Sequence, residues 1–339
     1  MSYAHIHAGF SEYQQLEVQF DSSTHALWYF MKAGPRPCFT TNLLNEISSL
    51  QSSVKSRLSN NGNERIDFLV LASGIPDIFN LGGDLNLFKK LIRTKDKDGL
   101  TDYADLCIQV LYQNAINLDL PVTTIGLVKG SALGGGLEAA LSCDVLIAEK
   151  GVKMGFPEIL FNLFPGMGAY SLLARKIDST EAEKLILSGK LYDASELYDM
   201  GVVDLLAEKG QGEKVVAEYI KRHDKYKNGY KGVRRVMQRV NPIDYIELKD
   251  IADIWVETAL KLEDRDIRMM DRLVRSQDRL YQSASSSQIE ISVSDEKEKG
   301  LPGIERLNSN SAGMPIKKRV PYLHSVRVES IKKELETEA

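Results

Sequence analysis

An α/β fold with a helical C-terminal region is what the sequence predicts, and three observations carry that reading. Strand-like apolar runs alternate with helix-like segments through the first part of the chain. One such strand, Val122 to Val128, runs directly into a glycine-rich loop followed by the helix-forming LEAALSC. From about Gly212 onward the apolar residues recur only at helical spacing. Strands alternating with helical crossovers imply layered α/β packing rather than an all-β sandwich.

Taken in order, Leu27-Trp28-Tyr29-Phe30-Met31 is an aromatic run suited to a buried strand, closed off by Pro35 and Pro37. Thr41 is the expected cap of a helix carrying Leu43, Leu44, Ile47 and Leu50 on one face. Ile66 to Leu71 reads as a buried strand ending in the turn-rich Ala72-Ser73-Gly74. Tyr103 to Ile116 is helical, with Leu106, Val110 and Leu111 apolar, and Val145 to Ala148 is a further strand. Charged helical segments then run from Gly212 to about Gln282, interrupted near Asn241-Pro242, with Ile251, Ile254, Trp255, Leu260, Ile267, Met270 and Leu273 as their apolar positions. Ser283 to Ser287 and the charged stretch from Asp295 carry few large apolar residues and read as linker or tail, with a weakly signalled helix near Val328 to Leu335. The expected domains are a core over 1–211, a helical lobe over 212–285 and a flexible tail over 286–339. No internal repeat is visible.

Bulk properties exclude several classes. The chain has 339 residues, enough for a substantial core, and a formal net charge of −4, where a general nucleic-acid binder would be basic. Cys38, Cys107 and Cys143 lie far apart without metal-ligand spacing, which fits a reducing cytoplasm. The start, MSYAHIHAGF, lacks the pattern of a signal peptide, and no apolar run is long enough to span a bilayer. His5 and His7 read as part of a frayed terminus; neither a metal nor a cofactor is expected.

The chemistry concentrates in three segments. Lys129 to Glu138 contains Gly134-Gly135-Gly136, whose missing Cβ atoms let main-chain N–H groups approach a ligand. A helix beginning there would aim unpaired donors at an oxygen gaining negative charge. Glu138 falls in its first turn, where it could equally complement the helix dipole. Phe156-Pro157-Glu158 supplies a second carboxylate flanked by Met154, Phe156, Ile159 and Leu160; apolar surroundings raise a carboxyl pKa and make it a proton donor. Phe79-Asn80-Leu81-Gly82-Gly83-Asp84 is turn-like by itself, but beside the glycine triplet it offers a second backbone donor. Rival motifs are missing: Leu133 occupies the last glycine position of a nucleophile elbow around Ser131, no phosphate-binding loop is present, and Gly166-Met167-Gly168 is not followed as a dinucleotide fingerprint would be.

These residues resemble the crotonase (enoyl-CoA hydratase/isomerase) superfamily. The F-x-x-G-x-D type loop at Phe79 to Asp84 carries the match, with A-L-G-G-G-x-E at Ala132 to Glu138 and P-E-I at Pro157 to Ile159. Within it, LWYFMK, FNLGGDLNLF, GGGLEAALSCDVLIAE and GFPEILFNLFPGMGAYSLLARKI are similar to the diffusible signal factor synthases, which make cis-2-unsaturated fatty acid messengers for quorum sensing. The likeness covers about residues 10–285.

The resemblance implies a spiral of β-β-α turns, a trimer, oxyanion donors at Gly83 and Gly135, and catalytic roles for Glu138 and Glu158. It also implies dehydration of a 3-hydroxyacyl thioester carried on acyl carrier protein or CoA, hydrolysis to the free acid, and docking on a sensor kinase or a PAS-containing regulator. Gly82, Leu133, Gly134, Met167, Trp255 and Leu273 are the candidate acyl-binding residues, with ordinary core packing as the alternative for the large ones. Two other readings remain open: an enoyl-CoA hydratase of fatty-acid breakdown, and a non-catalytic partner-binding homologue. Glu138→Ala and Glu158→Ala are each expected to abolish formation of the unsaturated acid; full product from either purified variant removes that residue from the mechanism.

Overall fold

The computed structural model describes residues 12–32, 34, 36–60 and 65–298. The chain divides into two units, 1–293 and 294–339. The strands are β1 Leu16–Asp21, β2 Ala26–Met31, β3 Phe68–Ser73, β4 Ile78–Asn80, β5 Thr123–Val128, β6 Ser131–Leu133, β7 Val145–Glu149, β8 Lys153–Gly155, β9 Leu191–Asp193 and β10 Leu205–Ala207. The helices are α1 Thr41–Asn60, α2 Leu85–Arg93, α3 Lys97–Ala115, α4 Gly135–Leu141, α5 Ala169–Lys176, α6 Ser179–Ser188, α7 Ala194–Asp199, α8 Gly212–Lys225, α9 Lys227–Val240, α10 Tyr245–Ala259 and α11 Asp264–Glu298.

Six strands form one sheet in the order β1-β2-β3-β5-β7-β10. Only β1 is antiparallel to its neighbour; β2, β3, β5, β7 and β10 run parallel. The parallel strands are apolar on both faces because both are covered. In β2 and β3, Leu27, Tyr29, Met31, Leu69 and Leu71 face the main core, while Trp28, Phe68 and Val70 face a second cluster closed by Val216 and Ile220 of α8. That alternation is the two-residue period of a strand.

A second, four-stranded sheet has the order β4-β6-β8-β9. Its strands are three residues each, and β4, β6 and β8 pair in parallel. The chain therefore alternates between sheets: β3 to β4, β5 to β6, β7 to β8, with helical structure after each pair. This repeated strand–strand–helix path is the α/β spiral that the resemblance implies. It leaves no repeat in the sequence, because three residues are too few to show a period.

Most long elements follow the sequence closely, and the interruption near Asn241-Pro242 separates α9 from α10. However, α3 begins at Lys97 rather than Tyr103, capped by Asp96, and β3 continues through Ala72 and Ser73. The differences have local causes. Thr40, not Thr41, caps α1, its Oγ1 accepting from the Leu43 amide at 3.1 Å. The Ser283 to Ser287 run, read as linker, continues α11, which ends at Glu298. His5, His7 and the helix near Val328 lie outside the described residues, as does the tail beyond 298. Among the described residues, no helix is long and apolar enough to cross a membrane, and all three cysteines are free and buried. Thr40→Ala, which leaves a first-turn N–H without its acceptor, is expected to cost about 1 kcal/mol; thermal unfolding should show a Tm lower by about 2–4 °C.

Candidate active site

Three parallel strands lying side by side place the parts of the site. Beyond the C-terminal end of β4 come Gly82 and Gly83, beyond β6 come Gly134 and Gly135, and beyond β8 come Pro157 and Glu158. Because β6 lies between β4 and β8, the second glycine pair sits between the first pair and the glutamate. A Cβ built on Gly135 would lie 3.5 Å from the Gly83 nitrogen, so the two amides border the same small space. Gly135 is also the first residue of α4, and its N–H has no acceptor within that helix.

Glu138 stands in the first turn of α4 and is 1% exposed. Its Oε1 accepts from the amides of Met167 at 2.8 Å and Ala169 at 2.9 Å. Ala169 opens α5, so the carboxylate caps that helix from a distance. Burial disfavours the charge and these main-chain donors favour it; burial prevails, raising the pKa to about 7.

Glu158 opens a single 3₁₀ turn, Glu158–Phe161, after Pro157. Its carboxyl lies against the α-carbon of Gly134, where a Cβ would come within 2.1 Å of Oε1. Gly134 also has φ of +52°, a conformation other residues adopt only with strain. Glycine at 134 thus makes the turn into α4 and leaves room for the acid. Oε2 of Glu158 is enclosed and has no hydrogen-bond partner among the described residues. Burial and then the neighbouring Glu138 charge push its pKa up to about 8. The cavity around it is apolar, but of Met154, Phe156, Ile159 and Leu160 only Leu160 lines it; Met154 and Phe156 pack in the main core.

Both carboxyls, both glycine pairs, Leu133 and Met167 line one cavity, and Trp255 and Leu273 reach it from α10 and α11. The structure therefore brings together every candidate site residue, although they come from distant parts of the chain. Other lining residues escaped the sequence reading: Leu85 and Phe88 of α2, Tyr103 of α3, Phe161, Phe164 and Gln277. Phe88 and Tyr103 occupy apolar positions of amphipathic helices, so nothing in their spacing separates lining from core. Their ring centroids are 5.1 Å apart, and Phe88 packs on Trp255 at 5.0 Å, both edge to face. No group of three or more His, Cys, Asp and Glu able to hold a metal ion occurs among the described residues.

Two carboxyls of raised pKa beside converging main-chain amides are the equipment for acid–base chemistry next to a carbonyl. The profile of the enoyl-CoA hydratase/isomerase family matches residues 49–243, and the chain belongs to that family, the superfamily its motifs resemble. It is 30% identical over 180 residues to the mitochondrial methylglutaconyl-CoA hydratase of Mus musculus, covering 53% of this chain and 53% of the relative. The chain spans about half the length of the first curated relatives it matches. Among solved structures, enoyl-CoA hydratase from Bacillus halodurans superposes with a TM-score of 0.65 over 76% of this chain and all of that one, at 18% identity. Human mitochondrial delta3-delta2-enoyl-CoA isomerase gives 0.63 over 78% of this chain and 99% of that one, at 16% identity. Superpositions at such identities establish the fold alone.

The raised pKa of Glu158 has a consequence for stability. A carboxyl with a higher pKa folded than unfolded favours the folded state fully below the unfolded value, and that contribution is lost as pH rises through the folded value. For Glu158 the window runs from the ordinary 4.5 to about 8. Glu158→Gln cannot ionise, so its Tm should match wild type near pH 4 and exceed it by about 4 °C or more near pH 9. A Tm difference that stays constant across that range would show that Glu158 does not hold a buried proton.

Proposed function

We propose that the chain is an acyl-thioester hydro-lyase that interconverts a 3-hydroxyacyl and a 2-enoyl thioester. One observation carries this reading: buried Glu138 and half-buried Glu158, both with raised proton affinity, share an apolar cavity with the amides of Gly83 and Gly135.

In this mechanism the thioester oxygen accepts hydrogen bonds from Gly83 and Gly135. As the α-proton leaves, charge moves onto that oxygen, where each preorganised donor lowers the barrier by about 3 kcal/mol. One carboxylate takes the α-proton while the other carboxyl protonates the departing hydroxyl, which leaves as water. Each proton transfer is worth on the order of 10²–10⁴ in rate. The pair must hold a single proton for either direction to run. Glu138, stabilised by two amides, better carries the charge, and Glu158, with an oxygen left unpartnered, better carries the proton. The pair titrates as a unit, and its two singly protonated arrangements serve the two directions.

The finer reading is a diffusible signal factor synthase. It would dehydrate a 3-hydroxyacyl chain on acyl carrier protein to the cis-2-enoyl thioester, then hydrolyse that thioester to the free acid with the same amides and a glutamate-activated water. Its support is the GFPEILFNLFPGMGAYSLLARKI segment, whose Phe161, Leu163, Phe164 and Met167 line the cavity with surfaces suited to an acyl chain. The names of the curated relatives instead favour a hydratase acting on CoA thioesters. The trimer, the sensor-kinase or PAS-containing regulator, and the division into core 1–211, lobe 212–285 and tail 286–339 belong to this proposal and rest on the resemblance and the sequence.

The test is to offer the purified chain a 3-hydroxyacyl carrier protein and, separately, a short enoyl-CoA, with products identified by mass spectrometry. Free cis-2-unsaturated acid from the carrier substrate is the expected result. Hydration of enoyl-CoA without released acid would leave only the hydro-lyase reading, and no turnover of either substrate would overturn both. The pH dependence of kcat/KM should be bell-shaped, with limbs near the raised values of about 7 and about 8.

A further inference from the structure

We propose that Tyr103 is a positioning residue whose hydroxyl ties down the backbone on both sides of Gly83, keeping the Gly83 N–H aimed at the thioester oxygen. The inference rests on the reaction proposed above and assigns a role to a residue outside the glycine and glutamate motifs.

Tyr103 lies in α3, 5% exposed, with its side chain on the cavity wall. Its hydroxyl donates to the Phe39 carbonyl at 2.5 Å and accepts from the Asp84 amide at 3.2 Å. The Phe39 amide in turn donates to the Gly82 carbonyl at 2.8 Å, within a bridge between Phe39 and Gly83. A single hydroxyl therefore links the segment beside Gly82 to the residue after Gly83.

The rest of the loop is anchored independently. The Gly82 amide donates to Oδ1 of Asn80 at 2.8 Å, and the Asp84 carboxylate accepts from Asn86 and Leu87 at the start of α2. None of these bonds uses the Gly83 N–H, which is left for the cavity. On the other side, the Phe88 ring would lie 2.6 Å from a Cβ at Gly83, so ring packing blocks retreat of the loop in that direction. An oxyanion donor contributes fully only when about 2.7–3.1 Å from the oxygen it serves. A loop held on one side by packing, and on the other by the Phe39–Gly82 bond and one hydroxyl, loses part of that accuracy without the hydroxyl.

The hydroxyl exchanges no proton with substrate in this role. Burial holds its pKa well above the ordinary tyrosine value, so it stays protonated while the carboxyl pair titrates. Replacing it with phenylalanine keeps the ring and its edge contact with Phe88 but removes the hydroxyl's bonds to the Phe39 carbonyl and the Asp84 amide.

The experiment compares wild type and Tyr103→Phe in enoyl-thioester hydration. It also follows the absorption of a bound aryl-enoyl thioester, a chromophore that shifts to longer wavelength as its carbonyl is polarised. The variant is expected to lose about tenfold or more in kcat, with KM within about twofold and both pH limbs unmoved. Its bound chromophore should lose most of the red shift. Unchanged kcat and red shift, whatever happens to Tm, would reduce Tyr103 to a structural residue and overturn the inference. Moved pH limbs would also overturn it, by making Tyr103 an acid or base. If Tyr103→Phe does not fold, 3,5-difluorotyrosine at position 103 preserves both bonds with a stronger donor. An altered red shift supports the role, and an unaltered one ends it. Wild type that neither turns over nor shifts the chromophore removes the reaction itself, whereas normal wild type matched by the variant removes only the role of Tyr103.

Discussion

Two carboxyl groups sharing one apolar cavity cannot both be ionised at modest cost, and the structure around them is organised by that constraint. Desolvation raises the pKa of both, and the charge of Glu138 raises that of Glu158 further. The protein offsets part of the cost unequally. Glu138 receives two main-chain donors from the start of α5, while one oxygen of Glu158 receives none. In the proposed reaction this asymmetry would separate a charge-holder from a proton-holder in chemically identical side chains, which is how one site can contain an acid and a base together. The arrangement is unfavourable for stability at neutral and alkaline pH, so a neutral replacement that stabilises the fold would be expected to forfeit the chemistry.

The backbone that makes this possible is economical. Three strands of three residues lie in parallel, and each delivers one component at its C-terminal end: a donor loop, a donor helix, and an acid. The strands are held in register by their own pairing, β4 with β6 and β6 with β8. Helical elements then fill the space above. α3 contributes Tyr103 to one wall, while α10 and α11 bring Trp255 and Leu273 over the cavity. Thus the C-terminal helices complete a container whose reactive groups all come from the core. Such a division lets the apolar wall vary while the polar parts remain in place.

Much of the large-scale fold was legible because long elements carry their own signal. β2, β3, β5 and β7 are apolar on both faces, and α1, α3 and α8–α11 show helical spacing. The glycine and glutamate motifs were legible because their residue types are unusual in combination. The short second sheet was not, since its strands exist through pairing and have no period to read. Thr40 and Thr41 are equivalent caps on paper, and only the direction of the chain into α1 chose between them. The Ser-rich run after Gln282 has weak helix formers, yet it continues a helix already nucleated and packed upstream.

By itself, then, the sequence determined the α/β class, the helical C-terminal region and the identity of the glycines and glutamates that could do chemistry. Only the tertiary structure decided that these residues face one cavity and that Glu158 keeps an enclosed, unpartnered oxygen while Oε1 of Glu138 receives two amides. It alone revealed that Tyr103 grips the loop beside Gly83. The reason is physical. Residue type and periodicity are local properties of the chain, whereas burial, proton affinity and the aim of an amide depend on groups brought together from far along it.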